Sequence, residues 1–100
     1  MLHIVNKSPF EKNALSSCLR LAQAGSSILF IEDGVYAAVE HTAHSDAISR
    51  RMEDFTFYVL GPDVAARGLS EATVIPGINV VDYEGFVDLV VEHDATQSWL

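Results

Sequence analysis

Ile28-Leu29-Phe30-Ile31 restricts the fold of this chain more than any other segment. Every position is apolar, so both faces of a strand built from it need cover, as in a central parallel strand flanked by helices. Gly25-Ser26-Ser27 leads into the run and Glu32-Asp33-Gly34 ends it. No apolar stretch approaches the roughly 18 residues needed to span a bilayer. The opening Met1-Leu2-His3-Ile4-Val5-Asn6-Lys7 lacks the layout of a signal peptide. The expectation is a soluble, cytoplasmic protein with no membrane partner.

Around that strand the pattern alternates. Leu2 to Val5 reads as a first strand. Ser8-Pro9-Phe10-Glu11 opens a helix, with a hydroxyl at the N-cap, proline at the first helical position and glutamate three residues after the cap. Gly25 supplies its left-handed stop. Val35 to Glu40 predicts a second helix and Ser45 to Met52 a short one. Phe55 to Leu60, dense in aromatic and β-branched residues, is a further strand. Gly61-Pro62-Asp63 turns into a short helix ending at Gly68, and Ile78 to Val81 gives a fourth strand. Asp82 caps a last helix, Tyr83 to His93, in which Phe86, Val87, Leu89, Val90 and Val91 share one face and Glu84, Asp88 and Glu92 the other. No linker or repeat divides the 100 residues, so residues 1–100 read as one domain. The class is α/β: three α/β/α layers around a mostly parallel sheet of about four to five strands, flavodoxin-like in outline.

Composition narrows the chemistry. Fourteen acidic against six basic residues give a net charge of −8, which repels phosphate backbones and argues against direct nucleic-acid binding. A single cysteine, Cys18, excludes an internal disulfide and a Cys-rich zinc site. His41 and His44 lie three apart, but with His3 and His93 they give no convincing ligand spacing, so no metal is expected. Lys7-Ser8-Pro9-Phe10 contains no glycine, so no nucleotide or other cofactor is expected. In open parallel sheets ligands sit beyond the carboxyl ends of the strands. Here those ends offer Asn6-Lys7-Ser8, Glu32-Asp33-Gly34, Gly61-Pro62-Asp63 and Asp82-Tyr83. Ser8, Asp33, Asp63 and Asp82 each precede a predicted helix and read as caps.

Cys18 and the tail remain. On the first predicted helix Cys18 falls near the middle of an apolar arc with Phe10, Ala14, Leu15, Leu19, Leu21 and Ala22, where a thiol is usually buried and inert. It escapes burial only if that arc meets another subunit. The tail, Ala95 to Leu100, ends in the chain's only tryptophan followed by leucine. Trp99 and Leu100 either fold back on the domain or dock into a neighbour.

Several segments together resemble the DsrH/TusB family: the opening MLHIVNKSP, EDGVYAA at Glu32 to Ala38, YVLGPDVAARGL at Tyr58 to Leu69, VVDYEGFVDLV at Val80 to Val91, and the final QSWL. The resemblance implies a DsrE-like fold and a subunit of a heterohexameric sulfur-relay complex, together with DsrE/TusD-like and DsrF/TusC-like chains. A DsrC/TusE-like protein is the implied sulfur acceptor. The main sulfur-accepting cysteine of such complexes sits in a loop of the DsrE/TusD-type chain, and this sequence has no loop cysteine. Cys18 resembles the helix cysteine of the DsrH branch, associated with sulfur oxidation, and is the candidate accessory persulfide carrier. Trp99 and Leu100 are the candidate partner-binding residues. The alternatives are the TusB branch, associated with thiolation of the tRNA wobble uridine and typically without that cysteine, and a purely structural subunit.

Overall fold

A computed structural model describes residues 1–99, so the Leu100 expectation lies outside the described residues. The elements run β1 (Leu2–Val5), α1 (Ala14–Leu21), β2 (Ser27–Phe30), a 3-10 helix (Glu32–Ala38), α2 (Ser45–Ser49), β3 (Thr56–Leu60), α3 (Gly61–Ala66), a 3-10 turn (Glu71–Thr73), β4 (Asn79–Val81), α4 (Tyr83–Glu92) and β5 (Thr96–Trp99). The strands form one five-stranded sheet in the order β4-β3-β2-β1-β5. Every pairing between them is parallel.

That order explains the layers. From β1 to β4 the chain steps one strand at a time in one direction, and right-handed crossovers put those connections on one face. The return from β4 to β5 crosses the whole sheet, so α4 lies on the other face. Side chains divide accordingly. Val5, Ile28, Phe30, Phe57 and Val59 pack with Leu15, Cys18 and Leu19 of α1, Val35, Ile48 and Val64. Leu2, Ile4 and Leu29 meet Leu89 of α4, with Tyr58, Val81 and Phe86 at the margin. Because both faces are covered, β1 and β2 are buried at every position. The α/β/α expectation holds, with unequal layers: three connections on one side and a single helix on the other.

Four local departures have physical causes. First, α1 begins at Ala14. The Ser8 hydroxyl accepts from the Phe10 amide at 3.2 Å, closing a local turn instead of capping a helix. Phe10 therefore lies outside the helix, exposed, with the His44 imidazole edge-on to its ring at 4.9 Å. Second, Glu32–Ala38 is a 3-10 helix rather than an α-helix opening at Val35. Gly34 lets this segment press against the end of β1: a Cβ there would overlap the Val5 carbonyl oxygen and lie 2.8 Å from its carbon. Third, the tail is a strand. Thr96–Trp99 pairs in parallel with β1, from Leu2↔Thr96 to Val5↔Trp99. Fourth, α4 buries only Leu89 fully, and Val87, Val90 and Val91 stay exposed. Among the described residues no helix is long and apolar enough to cross a membrane.

Candidate functional site

At the carboxyl ends of the strands the expected caps divide. Asp82 does cap α4, its carboxylate accepting from the Gly85 amide at 2.8 Å. Asp63 and Asp33 instead tie together the segments that follow β3 and β2, α3 and the 3-10 helix. The Asp63 carboxylate accepts from the Glu32 amide at 2.6 Å, and Glu32 holds a left-handed backbone at φ 50°. Arg67 on the next turn donates from Nε to the Asp33 carboxylate at 2.9 Å. No sequence signal marks Arg67, because its partner is 34 positions away and no short motif links them. The pair is half-exposed, so its contribution is at most about 1 kcal/mol.

These loops form no deep crevice. The connections from β1, β2 and β3 all leave in one direction, whereas nucleotide-binding sheets open a cleft where neighbouring connections part. An open hollow of about 350 Å³ lies between Ser8, Phe10, Glu11, Asp33 and Tyr36. Another of about 440 Å³ is bordered by Gly61, Pro62, Glu71, Val81 and Asp82. Both carry carboxylates and neither contains the thiol. Among the described residues no group of three or more His, Cys, Asp or Glu is placed to hold a metal ion. His41 stands out in solvent beside Glu40, and His44 lies against Phe10. The His93 ring bridges the Leu89 carbonyl (Nδ1, 2.6 Å) and the Ser27 hydroxyl (Nε2, 3.0 Å), anchoring the end of α4 to β2.

Cys18 sits where its helical arc places it, fully buried in the larger core between α1 and the sheet. Loss of solvation pushes its thiol up to about 12. Persulfide exchange needs a thiolate that a partner can reach. Within this chain Cys18 meets neither condition.

Trp99 turns inward. Its indole N–H donates to Nδ1 of His3 at 3.0 Å, and the rings lie 6.0 Å apart. The acceptor must be a neutral imidazole carrying its proton on Nε2. Burial, reinforced by the nearby amino-terminal charge, lowers the pKa of His3. A pKa lower in the folded than in the unfolded chain means the unfolded chain takes up the proton first. Stability is therefore expected to fall as the pH drops below about 6.5. Urea midpoints read by the single tryptophan should decline between about pH 7 and pH 5. The decline should shrink in His3→Asn, whose Oδ1 can take the indole hydrogen bond without titrating. An equal decline in both proteins would assign the acid sensitivity elsewhere.

Comparison with known proteins adds four findings. Residues 7–96 match the family described as "DsrH like protein". The chain is 37% identical over 100 residues to "Protein TusB" of Pectobacterium parmentieri, covering 99% of this chain and all of the other. It is 38% identical over 99 residues to "Protein TusB" of Erwinia tasmaniensis, with the same coverage. Among solved structures, the ychN protein from E. coli superposes with a TM-score of 0.82 at 15% identity, covering 97% of each chain, a likeness of fold.

Proposed function

The chain belongs to the DsrH/TusB family, and from that membership we propose that it is a TusB-like subunit of a sulfur-relay complex serving thiolation of the tRNA wobble uridine. The observation that carries the reading is the end-to-end relationship to proteins named TusB. In this reading the chain works in the cytoplasm beside TusC-like and TusD-like subunits, in a heterohexamer that passes sulfur to a TusE-like acceptor. Its role is structural, with the sulfur-carrying thiol on a partner.

This reading replaces the sulfur-oxidation branch that Cys18 suggested. A helix cysteine points to that branch through its use as a carrier, and a thiol sealed in the core with its pKa at about 12 gives little support for such use. Cys18 then packs as a small apolar side chain.

Removing the chain from its own cells is expected to lower wobble-uridine 2-thiolation, read by mass spectrometry of digested tRNA. A Cys18→Ala chain is expected to restore it fully. An aromatic disulfide reagent should label Cys18 only after unfolding. Loss of thiolation in Cys18→Ala, with the protein still folded, would return the thiol to the relay. Unchanged thiolation without the chain would remove the tRNA reading itself.

A further inference from the structure

Helix α4 carries more apolar surface than its own fold covers. At about 100° per residue, Leu89, Phe86, Val90, Tyr83, Val87 and Val91 follow one another around an arc of about 200°. Only the Leu89 end of that arc is buried against the sheet. Tyr83 and Val87 remain 60% exposed and Val91 77%. Beyond Val91 the next arc is acidic, with Glu84, Asp88 and Glu92. The helix is pinned at both ends, by the Asp82 cap and by His93 bridging Leu89 to Ser27. Such a platform needs little ordering on binding.

The charge pattern decides what fits. If two copies packed these faces antiparallel about a two-fold axis, each acidic arc would face its twin. A parallel pairing would lay each acidic arc over the apolar flank of the other. The net charge of −8 on each copy adds repulsion to both. An apolar ridge edged by cations satisfies the strip and the acidic arc together.

We propose that the exposed face of α4, formed by Tyr83, Val87, Val90 and Val91, docks a different protein chain that presents an apolar ridge bordered by Lys and Arg. The proposal rests on the reading of this protein as one subunit of an assembly, and goes further by naming the surface and the chemistry of what covers it.

The test uses the assembly purified from the protein's own cells, with a photoreactive residue at position 87. Irradiation is expected to join position 87 to another chain, at an apolar segment flanked by Lys or Arg when mapped by mass spectrometry. Val87→Asp should weaken the association by about tenfold or more, since it places a carboxylate in the apolar contact. Its melting temperature should stay near wild type, because the side chain is exposed in the free subunit. Asp88→Lys should weaken the association at low salt and reduce its dependence on salt. A cross-link to a second copy of this chain, or full affinity in Val87→Asp, overturns the proposal while leaving the subunit reading intact. A wild-type chain that is monomeric in its own cells overturns both.

Discussion

Gly34→Ala is expected to destabilise the protein by about 3 kcal/mol or more, near the top of the range for overpacking. The added methyl would collide with the carbonyl of Val5, a backbone group with no rotamer to change. That carbonyl also accepts from the Ile31 amide at 3.1 Å, and β1 is held by strands on both sides. The 3-10 segment would have to lift away, taking Val35, Ala37 and Ala38 out of the core. Urea unfolding followed through Trp99 provides the check. A midpoint within error of wild type would mean that the segment docks less closely than its backbone indicates.

Phe57→Ala is expected to cost about 3–5 kcal/mol. Phe57 is fully buried in the larger core, on β3 between β2 and β4. Its ring lies nearly parallel to that of Phe30 at 6.1 Å and edge-on to Phe55 at 6.0 Å. Removing it leaves a cavity walled by two other aromatics, which cannot collapse without disturbing the β2–β3 pairing. Small domains have only about 5–15 kcal/mol in total, so this one change consumes a large part of the margin. Phe10→Ala, at an exposed aromatic, is the matched control and should move the midpoint little. Equal losses at the two sites would contradict the burial that separates them.

The sequence signals that survived are those set by periodicity. Leu2–Val5 is a strand with the predicted bounds, and the two-sided run at Ile28 to Ile31 lies in a buried strand, shifted by one residue to Ser27–Phe30. Asp82 caps the last helix, and Cys18 lies in the middle of a buried arc. The signals that failed depend on partners far along the chain. Ser8-Pro9-Phe10-Glu11 has every mark of a helix start, yet Ser8 closes a turn and the helix waits until Ala14. Asp33 and Asp63 look like caps, but their partners are Arg67 and the Glu32 amide across the strand ends. Nothing local in Thr96-Gln97-Ser98-Trp99 marks a strand, since three of its four residues are polar. It becomes one because β1 offers an unpaired edge and His3 an acceptor for the indole. For α4 the periodicity identified the apolar face correctly but carried no information on how little of it the chain itself buries.

The neighbour that flanks β1 on one side is β5, the last made of the strands among the described residues. While a ribosome is still adding residues, Leu2–Val5 can find β2 early, but its other edge stays open until Thr96–Trp99 emerges. Leu2 and Thr96 are nearly a whole chain apart, so this contact closes the largest loop in the molecule and forms late. Until then a buried-type strand shows a row of unpaired amides and carbonyls to whatever is nearby. A nascent or truncated chain halted before Thr96 would therefore be prone to strand exchange between copies, and Thr96–Trp99 acts as the seal that ends that exposure.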